Sequence, residues 1–446
     1  MEYKPVIGLE VHIELSTKSK MFCSCPAEHF AKEANTQVCP ICLGLPGALP
    51  YTNSEAIDSI IKLGIALGCK IPEFSKFDRK HYNYPDLPKG YQISQYDLPV
   101  CLGGQWTLDN HKKISITRVH MEEDTGKLIH RKVNGEKVTL VDFNRSGVPL
   151  VELVTDPDFE SPKEVDEFLR DLRHLVRYLG ISSADMEKGS LRLEANISLG
   201  RVKGREDKRV KLPDYKVELK NINSFKFLQK ALSIEIKRQS EILDSGEKVN
   251  QETRGYDDYN KKTFSQRSKE GSEDYRYMPE PDIPPLIINK AAIARIKKLI
   301  PELPKEKQMR FKDSYKLPDN YVDLLVNDQD RADFFELAVK IGKAQGIDSK
   351  MIASAMLNNN LDRSSSSPAD MVKKLVEVTK KDYASQAEIE KAVNKVINGN
   401  KKAVDDYKKG KTNVIGFLIG KAQGYLKGKG EVGLVRTELL KRLEKK

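Results

Sequence analysis

The sequence predicts an α+β fold in which a domain built on a mixed or antiparallel sheet comes first and helices alone follow. Three observations predict it. Residues 6–15 read V-I-G-L-E-V-H-I-E-L, placing Ile7, Leu9, Val11, Ile13 and Leu15 on one side of a strand and Gly8, Glu10, His12 and Glu14 on the other. Strand texture recurs at 114–126, 142–157 and 186–224, between helices with clear start and stop signals. Beyond the Pro-rich run 279–285 strand signals disappear. A chain of 446 residues exceeds one core, and boundaries fall at 1–290, 291–368 and 369–446.

The opening strand is also the first chemical signal, because a polar face of Glu-x-His-x-Glu is half of a cation site. A polar sheet face turned to water is the plain alternative. Next come four cysteines, Cys23, Cys25, Cys39 and Cys42, spaced as C-x-C and C-x-x-C. Such spacing fits a closed, structural tetrahedral zinc site better than disulfides. Cys69 and Cys101 stand apart and read as small buried hydrophobes.

Residues 54–67 repeat apolar positions at helical spacing and stop at Gly68. The segment 74–99, dense in Tyr, Pro and charge, reads as a long loop whose Asp78, Arg79, Lys80, His81, Lys89, Tyr91 and Gln92 could line a polar pocket. The strand 114–126 ends in His120, Glu122, Glu123 and Asp124, and Glu152 sits within L-V-E-L-V. A lone carboxylate there would cost several kcal/mol, so it needs a cation or a donor. Glu10, His12, Glu14, one carboxylate of 122–124 and Glu152 could form the oxygen-rich shell magnesium prefers.

Ser161, Pro162 and Glu164 read as N-cap, N1 and capping box of a helix to Gly180, beside whose core stripe Arg170, Arg173 and Arg177 form a solvated one. A second helix is expected over 224–243, capped by Ser224 and stopped near Gly246. In the polar and aromatic stretch 251–286, Arg254, Arg267, Lys269, Arg276 and Tyr277 are suited to phosphate or carboxylate contacts. Several short helices follow, and the Ser-rich run 358–368 reads as a flexible linker.

The tail carries sixteen Lys or Arg against eight Asp or Glu from 381 onward, most of the chain's net +11, and suits an RNA-contacting arm. Gly416, Gly420 and Gly424 suggest close approach of another backbone. No run of about eighteen apolar residues occurs and a strand begins just after Met1, which argues against a membrane span or signal peptide and for the cytoplasm. No G-x-x-x-x-G-K-[ST] motif is present, and the one G-x-G-x-x-G match, at 428–433, lies where strand signals are absent and so lacks the strand that a dinucleotide fingerprint follows; any nucleotide needs a less familiar site.

V-I-G-L-E-V-H at 6–12, C-P-I-C-L-G-L-P-G at 39–47, F-D-R-K-H-Y-N-Y-P-D-L-P-K-G-Y-Q-I-S-Q at 77–95, H-M-E-E-D-T-G-K at 120–127, D-F-N-R-S-G-V-P-L-V-E at 142–152 and D-Y-R-Y-M-P-E-P-D at 274–282 closely resemble the GatB family, the B subunits of the aspartyl/glutamyl-tRNA amidotransferase. The resemblance returns in the tail at A-V-D-D-Y-K-K-G-K and G-F-L-I-G-K. It implies a cradle-shaped α+β domain, a helical domain and a small helical tail that binds tRNA. It also implies ATP- and magnesium-dependent phosphorylation of the side-chain carboxylate of misacylated Glu-tRNA(Gln) or Asp-tRNA(Asn). Ammonia from the glutaminase A subunit then displaces the phosphate, while a small C subunit holds the other two together.

Carried over by position, the resemblance places magnesium on Glu10, His12, Glu123 and Glu152 and zinc on Cys23, Cys25, Cys39 and Cys42, and leaves Glu14 behind them. Arg79, Lys80, Lys89, Tyr91, Arg145, Arg254 and Arg276 are the nucleotide or substrate candidates. Between about Leu357 and Ser385 the chain is shorter than the family pattern. Two other classes compete: a non-catalytic, zinc-stapled RNA-binding scaffold, which has no use for a buried Glu152 facing Glu10 and His12, and an ATP-dependent ligase of free amino acids, for which the basic tail is superfluous.

Overall fold

The computed structural model describes residues 3–201, 212–268, 275–379 and 384–443. It divides into two units, Met1–Lys307 and Gln308–Lys446.

The first unit is organised on a nine-stranded sheet with the opening strand, Tyr3–Glu14, near its middle. One flank holds Pro149–Thr155, then Lys113–Glu123, then the short strands Cys101–Leu102 and Gln105–Thr107. The other holds Leu191–Arg201, Val217–Ile222, Glu252–Asp257 and Lys262–Ser268. All pairings are antiparallel except that of Val217–Ile222 with Glu252–Asp257. The fold is thus α+β with a mixed sheet. Ile7, Leu9, Val11 and Ile13 are buried in one core with Phe168 and Leu172 of the helix Pro162–Tyr178 and Leu228 and Leu232 of the helix Phe225–Asp244. Each such side chain contributes roughly 1.5–3 kcal/mol on burial. Covering the apolar face this way leaves the polar one for chemistry.

Several local expectations change. The segment 74–99 is not a loop throughout: Asp78–His81 pairs with Tyr91–Ser94 and with Met278–Pro279, and Phe74–Ser75 pairs with Leu286–Ile287. The stretch 251–286 likewise contains strands, and Lys127–Val133 with Glu136–Asp142 form a separate hairpin. Ser161 caps its helix by accepting from the Glu164 N–H at 3.2 Å, but the box does not close, because Glu164 accepts instead from Glu160 N–H and pairs with Lys112. Ser224 sits at its N-cap without a side-chain bond. The helix Ser54–Ala66 is capped by Asn53, whose carbonyl oxygen accepts from Glu55 and Ala56.

The second unit is helical. Its helices Asp319–Val326, Gln329–Lys343, Ser349–Asn359 and Pro368–Thr379 bury Phe335, Ile352, Met356 and Met371. The Ser-rich run is no free linker: Asp362 pairs with Arg331 at 2.7 Å, Ser367 accepts from the Asp370 N–H, and Lys374 donates to Ser364 O. The helices Gln386–Gly399, Lys401–Lys408, Val414–Tyr425 and Val432–Leu443 share a small core around Val393, Leu418 and Leu439. Gly416, Gly420 and Gly424 face open space rather than another backbone, because Leu418 and Ala422 alone turn inward from that helix. No described helix is long and apolar enough to cross a membrane.

Candidate functional site

Register builds the site. His12 lies opposite Glu152 on one side and Arg192 on the other, and Glu152 lies opposite His120. Directly opposed residues share a sheet face, so Arg192, His12, Glu152 and His120 form a row across four strands, with Glu122 one pleat from His120. The His12 Nε2 lies 3.4 Å from Glu152 Oε2 and 3.8 Å from Glu122 Oε2. His120 Nε2 lies 3.4 Å from a carboxylate oxygen of each. Ligand atoms of His12, Glu122 and Glu152 fall within 4.8 Å of one another, as atoms sharing one cation would. Two carboxylates and an imidazole on a largely buried floor suit a hard divalent cation such as magnesium or manganese.

The electrostatics tie these groups together. Burial opposes ionisation of Glu152, but His120 and His12 outweigh it and hold the carboxyl well below the usual range. Burial likewise opposes charge on His120, yet Glu152 and Glu122 raise it to about 9, and the same two carboxylates raise His12. Glu122 is lowered against burial and the nearby Glu152, by His120 and Lys80. Gln92 and Ser94 donate to Glu122 at 3.2 and 2.9 Å, completing its shell.

Of the four expected magnesium residues, the structure groups His12 and Glu152, sets Glu10 beside them and turns Glu123 away. Glu10 accepts from Asn196 Nδ2 at 2.9 Å, and burial, then Glu152 and Glu194, raise its pKa. Glu123 points to the opposite face, where Lys89 donates to it at 2.7 Å and the Ile93 N–H at 2.9 Å. An irregularity in the pairing between Val154 and Thr155 explains the turn. Ile114 and Ile116 are buried on one side of it, while Val119 and Met121 are buried on the other, so the inward parity changes from even to odd. Glu123 follows Val119 and Met121; Glu122 follows His120 into the site. Glu14 does not back the site either: it pairs with His29 of the cysteine loop at 2.7 Å.

The expected phosphate or substrate contacts disperse. Arg79 is held by Glu280 at 2.7 Å and Asp282 at 3.1 Å, and stacks over Tyr91 at 4.4 Å. Lys89 holds Glu123, and Arg145 donates to the carbonyls of Thr125 and Gly126. Arg254 lies on an outer strand with Glu252 and Glu235. Arg276 has a left-handed backbone at φ 43°, with its carbonyl bonded to His81. Lys269 and the side chain of Arg267 lie outside the described residues. Lys80 alone looks into the site: its ammonium lies 4.8 Å from the Tyr275 ring and makes no hydrogen bond among the described residues. Burial opposes its charge, but Glu122, Tyr277 and Glu152 raise its pKa.

A second cluster lies in the same unit. The sulfurs of Cys23, Cys25, Cys39 and Cys42 all come within 4.8 Å of one another, the donor set of a closed structural zinc site. Lys20, fully buried, donates to Gln37 O at 2.8 Å, Phe143 O at 3.4 Å and Cys42 Sγ at 3.6 Å. The hydrogen bond from Cys23 holds the Cys42 thiol low against burial, with the Cys39 N–H and Lys20 helping, while Cys23 itself is pushed up. The residue pattern marked His120 and the carboxylates 122–124 without choosing among the latter, and it did not mark Lys20; the pairing of His120 with Glu152 is the signal that selects Glu122.

Residues 5–294 match the GatB/GatE catalytic domain, and residues 332–443 match the GatB domain. The chain is similar to the B subunit of the aspartyl/glutamyl-tRNA(Asn/Gln) amidotransferase of Thermotoga petrophila, at 42% identity over 100% of both chains. It is 41% identical to the B subunit of Thermomicrobium roseum, over 100% of this chain and 99% of the relative. It is 42% identical to the B 2 subunit of Clostridium acetobutylicum, over 99% of each. The chain belongs to the GatB family, the B subunits of the aspartyl/glutamyl-tRNA amidotransferase. The alignment with the Thermotoga petrophila protein spans 487 positions against 446 residues here, so that relative carries residues this chain lacks.

Proposed function

We propose that this chain, in tRNA-dependent amidation, activates the side-chain carboxylate of misacylated Glu-tRNA(Gln), Asp-tRNA(Asn) or both by phosphorylation from ATP. The carboxylate oxygen bonds to the γ-phosphorus as ADP leaves. Ammonia then bonds to the acyl carbon as phosphate leaves, giving the amide. The observation that carries this reading is the pair of buried carboxylates, Glu122 and Glu152, converging on His12 from separate strands.

A carboxylate is a poor acyl donor, and phosphorylation supplies the leaving group ammonia needs. Magnesium, when bound, screens repulsion between the substrate carboxylate and the γ-phosphate. We assign it to His12, Glu122 and Glu152 with Glu10 adjoining, so that Glu122 takes the place the resemblance gives to Glu123. His120 steadies both carboxylates from behind, and Lys80 meets the incoming anion at the mouth. The four cysteines hold structural zinc. The glutaminase A subunit supplies ammonia, the small C subunit joins the other two, and the basic helical domain 369–446, beyond the helical domain 291–368, brings the tRNA in the cytoplasm.

With partner subunits, misacylated tRNA, glutamine and ATP, Glu152→Ala should abolish amide formation and leave glutamine hydrolysis partly intact. Unchanged amidation would sink the assignment.

A further inference from the structure

The row of facing side chains does not stop at His12. Arg192 stands directly opposite it on the strand Leu191–Arg201, on the side away from Glu152, and takes no part in the activation described above. Its Nη2 donates to Asp124 Oδ2 at 2.6 Å. Its Nε is buried and meets no acceptor among the described residues. A buried donor left unpaired is costly and rare in a native protein, so it asks for a partner from outside. The side chain as a whole is 36% exposed, which leaves a ligand room to reach it.

The surroundings decide what that partner is. Two guanidiniums, Arg192 and Arg145 at 3.7 Å, share the carboxylate of Asp124. Arg145 spends its donors on the carbonyls of Thr125 and Gly126, so Arg192 is the one with a donor over. Glu14, the nearest carboxylate on the opening strand, is engaged by His29. One pleat from His12, by contrast, Glu10 lies among the carboxylates of Glu152 and Glu194. The polar face thus runs from an acidic end to a guanidinium, and an oxyanion is drawn to the guanidinium. Phosphates carry several charges, which a divalent cation and Lys80 answer, whereas a side-chain carboxylate is a monoanion that one arginine satisfies.

We infer that Arg192 receives the side-chain carboxylate of the aminoacyl group and holds it beside the cation that His12, Glu122 and Glu152 share, an inference that rests on the ATP-dependent activation proposed above and adds where the attacking group is held. Neighbouring strands lie about 4.8 Å apart, so a carboxylate on Arg192 stands next to His12. With Nη2 kept by Asp124, Nε takes one carboxylate oxygen and leaves the other to bond to the γ-phosphorus as ADP departs.

Glu-tRNA(Gln) and Gln-tRNA(Gln), like Asp-tRNA(Asn) and Asn-tRNA(Asn), differ only in carboxylate against amide. Binding of both members of each pair to the complete amidotransferase, measured without ATP or glutamine, isolates that group. For the pair the complex amidates, Arg192→Met should lower the preference for the misacylated member by about tenfold or more, the usual worth of a hydrogen bond to a charged group, with the KM for ATP little changed. Arg192→Lys keeps a charge for Asp124 but lacks the guanidinium fork; it should lose the preference too, and it carries the measurement should Arg192→Met fail to fold. An unchanged preference, with or without a lower unfolding midpoint, makes Arg192 a structural clip for Asp124 and overturns the inference. So does a rise in the ATP KM in its place, which would put the γ-phosphate on Arg192. If the wild-type complex makes amide without consuming ATP, the activation reading fails by itself, while the paired binding, which needs no ATP, still decides whether Arg192 holds the carboxylate.

Discussion

The thiol cluster and the acid-and-imidazole row both gather side chains able to hold a metal ion, yet they are built in opposite ways. The four cysteines come from twenty residues of chain and are gathered by one loop. His12, Glu122 and Glu152 come from three strands and meet only through pairing. Local spacing therefore identifies the first completely, whereas the second depends on a register that a single irregularity can invert. The contrast also separates roles, since a closed thiol site stabilises a loop and an open carboxylate site on a sheet can receive substrate.

Three experiments break or sharpen the contrast, in falling order of effect. Replacing Cys39 and Cys42 together by Ser should cost several kcal/mol, because metal binding at such sites is folding energy; an unfolding midpoint equal to wild type in zinc-loaded protein would contradict a structural role. Glu123→Gln removes one partner of the buried Lys89 pair and should cost about 3 kcal/mol, read by denaturant unfolding, while leaving manganese affinity unchanged. Glu122→Gln also removes the buried partner of His120 and should cost stability too, but in contrast to Glu123→Gln it should weaken manganese binding by about 10–100-fold, read by isothermal titration. Manganese affinities reversed between the two variants would return Glu123 to the ligand set.

Much of this was legible in the residues. The opening strand, the helices ended by Gly68, Gly180 and Gly246, and the thiol loop all follow from spacing and punctuation. Strands of two to four residues, such as Asp78–His81, escape because alternation over so short a span is not a pattern. The inversion before Val119 escapes because Ile114 and Ile116 set up a parity that the chain then abandons. The arginines mislead for another reason. Arg79 finds Glu280 some two hundred residues away and Arg254 finds Glu235 on a helix, and nothing local announces either partner. Lys80 differs only in what surrounds it.

The buried ammonium of Lys20 has a consequence for how the thiol loop exchanges protons. A charge sealed 3.6 Å from Cys42 favours the thiolate of that sulfur, alongside the hydrogen bond from Cys23. A buried ammonium that stays when an ion arrives also offsets part of the negative charge that four thiolates gather around it.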